Sequence, residues 1–188
     1  MKKLAFLGVA MLAILGLPAP AATISLLAPT TVSGSSFDVV VEAQDLFANR
    51  DPLTDLLISY GFDVSVSDPS IFSFTGATSG PLFDPATTEP GTDVFGAAFG
   101  QNGFGVEPGA ADPLTLATLH FQVLGLGSSD IVISSDLNNL FQGLQFLNAP
   151  FQESIAGTVS VAAVPEPTVF LFSGAGLIGL AFLRRLRR

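Results

Sequence analysis

Between residues 58 and 66 the side chains alternate without a break. Ile58, Tyr60, Phe62, Val64 and Val66 share one face, and Ser59, Gly61, Asp63 and Ser65 share the other. An extended backbone sends successive side chains to opposite sides, so this pattern specifies a half-buried strand. It excludes a helix, whose apolar stripe returns every third or fourth residue. Two more stretches read the same way. Phe37, Val39, Val41 and Ala43 oppose Asp38 and Glu42, with Val40 the exception, and Ala117, Leu119, Phe121 and Val123 oppose Thr118, His120 and Gln122. Shorter runs at 23–27, 71–75, 93–99, 130–134, 140–147 and 155–163 bring the expected strands to about nine. Turn signals separate them: Ser33-Gly34, Asp68-Pro69, Gly80-Pro81 and Gly125-Leu126-Gly127. No long helical stripe occurs in this body, and residues 45–56 are expected to hold one short turn at most.

Many short strands with frequent turns predict an antiparallel β-sandwich. Twelve of the 17 phenylalanines lie between Phe37 and Phe146 and can fill a two-sheet core. An aromatic platform for sugars is the rival use of those rings. It is disfavoured because Trp is absent and the one tyrosine, Tyr60, lies on the apolar face of its strand.

Charge narrows the partners. The formal net charge is −9, yet from Ala22 to Val164 one base, Arg50, stands against 15 acids, leaving that stretch at −14. Such a body repels phosphate backbones, which argues against nucleic acid. Cysteine is absent, removing disulfides, thiolate metal sites and cysteine nucleophiles.

The other bases lie at the ends. Lys2 and Lys3 precede an apolar run from Leu4 to Leu17, and Pro18 leads into Ala19-Pro20-Ala21-Ala22. These are the three parts of a secretory signal peptide, expected over residues 1–22 with cleavage after Ala21 or Ala22. At the other end, Pro165-Glu166-Pro167 is followed by uncharged residues 168–183 and then by Arg184, Arg185, Arg187 and Arg188. As a helix the uncharged segment would be roughly 24 Å long, a little short of a hydrocarbon core. The arginines act as a membrane stop on the cytoplasmic side, leaving the acidic body outside. Within it, Gly174, Gly176 and Gly179 match G-x-G-x-x-G. That motif needs a preceding strand, a βαβ unit around it and an acid about 20 residues later, whereas here nine residues follow and four of them are Arg. Small residues in a membrane helix explain it better.

This tail, residues 164–188, resembles the PEP-CTERM sorting signal in its three parts and their order. The resemblance implies a Gram-negative bacterium and an exosortase as processing partner. It also implies an inner-membrane-anchored precursor that leaves for the cell surface or extracellular matrix, often beside exopolysaccharide. The two prolines flanking Glu166 would hold an extended segment where an enzyme can grip it.

The body carries a second resemblance. The run from Leu56 to Phe74 (LLISYGFDVSVSDPSIFSF) is similar to the early strands of cohesin domains, and Leu116 to Val123 (LATLHFQV) resembles a later one. This implies a nine-stranded antiparallel jelly-roll sandwich over residues 23–163. It does not extend to a dockerin partner.

Chemistry is sparse. Residues 76–113 are rich in Gly and Pro and carry Asp84, Glu89, Asp93, Glu107 and Asp112. Asp84, Glu89 and Asp93 are candidate ligands for Ca²⁺, the alternative being a solvated acidic loop, since no D-x-D-x-D-G loop or repeat occurs. Zinc and copper are disfavoured by one His and no Cys. A Ser-His-Asp set would have to use His120, which is expected on the polar face of its strand, and no G-x-S-x-G elbow is present. Paired carboxylates for glycoside hydrolysis are inevitable among so many acids and carry no signal. The reading is an exported, non-catalytic β-sandwich acting as an adhesion, scaffold or polysaccharide-associated module. A secreted carbohydrate-active enzyme and a passive surface cargo are the alternatives.

Overall fold

A computed structural model of the chain describes residues 22–48, 50, 51, 53–99, 104–148 and 150–166. The expected leader up to residue 21, Pro167, the apolar segment 168–183 and the four terminal arginines lie outside these residues. Among the described residues every regular element is a strand, and no helix is long and apolar enough to cross a membrane.

The strands are β1 (Thr23–Leu27), β2 (Thr31–Val32), β3 (Ser36–Gln44), β4 (Leu57–Val66), β5 (Phe72–Ser79) and β6 (Thr87–Glu89). They continue as β7 (Thr92–Ala97), β8 (Leu114–Val123), β9 (Gly127–Ser134), β10 (Gly143–Phe146), β11 (Gln152–Glu153) and β12 (Ala156–Ala163). Each of the nine runs read from the sequence forms a strand. β2, β6 and β11 are additional, and at two or three residues they are too short to show alternation. The described residues between Asp45 and Leu56 make hydrogen-bonded turns, with Ala48 N–H donating to Asp45 O and Asp55 N–H to Asp51 O.

Two sheets face each other. The smaller runs β1-β3-β8-β5, and the larger follows the path β11-β10-β4-β9-β12-β2 with β7 and β6 attached through β4. All the pairings are antiparallel except β12 with β2, which run parallel through two residue pairs. Alternation holds well in β3, where Phe37, Val39, Val41 and Ala43 are buried and Asp38 is exposed. The inward rings form two groups. Phe37 meets Phe72 edge-on at 4.9 Å and stacks on Phe121 at 5.3 Å, while Tyr60 meets Phe83 edge-on at 4.7 Å and stacks on Phe62 at 6.0 Å.

Phenylalanine is not only core material, however. Phe99, Phe104 and Phe151 are more than half exposed, and Phe99 and Phe104 meet each other at 5.6 Å.

The strand with the most regular alternation departs from it in burial. Ser59 and Gly61 of β4, expected to face solvent, are buried. The excursion between β9 and β10 folds over them, and a Cβ at Gly61 would occupy the position of the Phe141 carbonyl. Polar side chains hold this cover in place. Gln142, 1% exposed, donates to Asp63 Oδ2 at 2.8 Å, Ser59 Oγ donates to Gln145 Oε1 at 2.8 Å, and Asn139 Nδ2 donates to Gly91 O at 3.0 Å.

Candidate functional site

The outer face of the smaller sheet carries a group of exposed and part-exposed side chains. Its outward residues include Asp38, Val40 and Glu42 of β3, Thr118 and His120 of β8 and Thr78 of β5. Strand register brings three of them together, because Asp38 sits opposite His120 and the β5–β8 ladder sets Thr78 nearby. His120 Nδ1 is 2.8 Å from Asp38 Oδ1, and its Nε2 is 2.8 Å from Thr78 Oγ1. The order hydroxyl, imidazole, carboxylate is that of a catalytic relay, but the setting differs. A relay needs a buried carboxylate to orient and stabilise the imidazolium, whereas here the Asp38 and His120 side chains are 61% and 39% exposed. The arrangement braces three strands and presents a fixed polar strip to solvent. His120 stands on the polar face, as the sequence predicts. Its two partners were not legible, because strand pairing is set by contacts far apart in the chain.

The sole base of the body faces inward. Arg50, with a side chain 4% exposed, pairs with Asp55 at 2.7 Å and with Glu153. Its guanidinium carbon lies 3.2 Å from the centre of the Phe146 ring, and it donates to Pro150 O at 3.0 Å. Asp55 is 2% exposed and also accepts from the Leu56 and Asn148 amides. The group ties the 45–56 turns to the β10–β11 connection, and it leaves the described surface without an exposed Lys or Arg.

The acids proposed for Ca²⁺ are engaged separately. Asp84 accepts from Phe99 N–H at 3.2 Å, Asp93 accepts from Val64 N–H at 2.9 Å, and Glu89 closes the β6–β7 turn opposite Thr92. Among the described residues no three Asp, Glu or His side chains are grouped to hold a metal ion. Asp93 instead lines a cleft of about 500 Å³ between β5 and β6. Of the three residues expected to form a sorting motif, Pro165 and Glu166 are described. They follow Val164, whose amide donates to Val32 O at 2.8 Å as the chain leaves β12.

This arrangement of two sheets is that of a known class. A cohesin module from a Clostridium perfringens ATCC13124 family 33 glycoside hydrolase superposes with a TM-score of 0.52 at 13% identity, covering 78% of this chain and 98% of that one. A non-cellulosomal cohesin from the hyperthermophilic archaeon Archaeoglobus fulgidus gives a TM-score of 0.42 at 18% identity, over 81% and 98% of the two chains. The seventh ScaB type I cohesin from Pseudobacteroides cellulosolvens gives 0.45 at 9% identity, over 78% and 94%. No family model matches this sequence, and no curated protein matches it. The fold is thus an all-β sandwich of the cohesin kind, and at such identities the likeness concerns the fold alone.

Proposed function

We propose that this chain is an exported, non-catalytic binding module displayed at the surface of a Gram-negative bacterium, sorted there by an exosortase acting on Pro165-Glu166-Pro167. Its work is adhesion or scaffolding, holding other surface proteins within a matrix that includes polysaccharide. The observation that carries this reading is the outer face of β1-β3-β8-β5, where Asp38 and His120 are hydrogen-bonded to each other and stand with Glu42 among hydroxyl side chains. A polar surface whose side chains are already held by one another suits a protein partner better than a small substrate, which needs a concave apolar site. The absence of exposed bases among the described residues makes basic proteins the favoured partners.

The test is retention of surface proteins and matrix polysaccharide from the host envelope on the immobilised full chain, compared with a variant carrying Asp38→Lys and Glu42→Lys. Both positions are on the outer face and the Asp38–His120 pair is exposed, so the variant should stay folded, melting slightly below the parent, while losing retained basic proteins. Equal retention by the two chains would exclude this face. Sorting is tested separately: alanines in place of Pro165-Glu166-Pro167 should leave the protein in the inner-membrane fraction, and unchanged release would remove the exosortase from the account.

A further inference from the structure

The sandwich is open between two strand edges. Among the described residues β5 ends the smaller sheet and pairs with β8 alone, while β6 pairs with β7 alone. The cleft between them is walled by residues 74–77 on one side, and by residues 86–88 and Asp93 on the other. A strand edge without a neighbour presents N–H and C=O groups that another extended chain can pair with. Edge strands are commonly blunted by lysine, proline, an inward charge or a bulge, and β5 (FSFTGATS) carries a bulge but no charge and no proline. A bulge at Thr75 breaks the β5–β8 register, and Gly76 follows it with φ 145°. Its chain neighbours apart, no atom lies within 4 Å of where a Gly76 Cβ would stand, so the sheet surface beside this part of the cleft is uncovered.

Charge selects the occupant. Asp93 is the charged residue of the cleft wall, and Val64 N–H uses only one of the roughly four acceptor positions of its carboxylate. A second copy of this chain would bring one acidic body against another, with no exposed base among the described residues to set against Asp93. A basic segment from another protein is attracted both by the whole acidic surface and by Asp93 itself.

We propose that the cleft between β5 and β6 takes an extended segment of a partner protein as an added strand along β5, with a lysine or arginine of that segment set against Asp93. Backbone pairing supplies the affinity, and the carboxylate supplies the preference for a base. The cleft adjoins the outer face of the smaller sheet, since Gly76 is the register partner of His120, and substitutions at Asp93 and at Asp38 separate the two sites.

The test uses the full chain and an array of fluorescent octapeptides, with varied Thr, Val, Ser and Phe flanks around a central lysine. Matched arrays carry glutamate at the centre, or lysine with alternate backbone amides N-methylated. A subset of lysine peptides should bind about tenfold more tightly than their glutamate counterparts, and N-methylation should abolish binding. Asp93→Asn, which keeps an acceptor for Val64 N–H, and Thr88→Arg at an exposed position should each weaken binding about tenfold. Asp38→Lys should leave it unchanged. Three results would overturn the proposal: no lysine peptide binding, equal binding by N-methylated or glutamate peptides, or indifference to Asp93→Asn with melting preserved. A concentration-dependent dimer dispersed by Thr88→Arg would also overturn it, assigning the edge to a second copy.

Discussion

Tyr60 shows how one polar atom is carried into an apolar core. Its ring lies over Gly96, where a Cβ would occupy the ring position, and its hydroxyl reaches Ser79 Oγ at 3.3 Å. Burial pushes the phenol up to about 12, opposed weakly by the Ser79 hydrogen bond. The unfolded chain releases this proton near the ordinary value of 10, so the neutral ring favours the folded state fully below pH 10. That contribution is lost as pH rises toward 12, on the order of 2–3 kcal/mol in all. Tyr60→Phe should therefore remove much of the alkaline fall in melting temperature between pH 10 and 12. If the variant and the parent lose stability in parallel over that window, another group is responsible. Arg50 is the opposite case, a charge that folding must neutralise in place. Arg50→Met keeps the packing on Phe146 but strands Asp55, and should cost about 3 kcal/mol in chemical denaturation. Adding Asp55→Asn should recover part of that loss, because no full charge then remains buried beside Asn148.

At the scale of elements, what could be read from the sequence was whatever is local. Val39, Val41 and Ala43 are buried because their own neighbours alternate with them, and no distant contact is needed to place them. Ser59 and Gly61 obey the same alternation and are nevertheless covered. Nothing within residues 57–66 signals that the 135–142 excursion will lie across them. Gly61 is a clue only in hindsight: a strand glycine marks a close approach by other backbone. The same limit applied to the candidate site. His120 was placed on the correct face, but Asp38 and Thr78 joined it through a register that spans 82 and 42 residues of chain. The cleft beside β5 is also out of reach of the sequence, since β6 is three residues long and nothing in the expected 93–99 strand shows what its first residue, Asp93, will face. Gly61→Ala should displace the excursion at a cost of about 2 kcal/mol. Hydrogen exchange should show this as faster exchange confined to residues 136–145, with β3 and β8 unchanged. Uniform acceleration across both sheets would mean that the excursion is part of the core.

Across the whole molecule, the net charge of −9 averages parts with different roles. Most bases lie in the terminal segments expected to direct export and sorting, and the sandwich between them is far more acidic. Apolar burial outweighs the mutual repulsion of those acids, through the two ring clusters and the aliphatic residues packed between the sheets. The charge bears instead on association, raising encounter rates with basic partners and weakening them as salt rises. A retained partner should therefore leave the immobilised chain between low and moderate salt, and retention indifferent to salt would point to an apolar contact such as the exposed Phe99–Phe104 pair.

The burial of Arg50 has a further consequence outside binding. Proteases of the trypsin type cut after lysine or arginine, and between Ala22 and Glu166 the sandwich offers only this one residue. Its side chain is held by Asp55, Glu153 and the Phe146 ring, so the bond after it becomes cleavable only when the turns at 45–56 detach from the β10–β11 connection. In an extracellular setting the domain is invisible to a whole class of secreted proteases for as long as that contact holds, and one cut between residues 50 and 51 would record each time it opened.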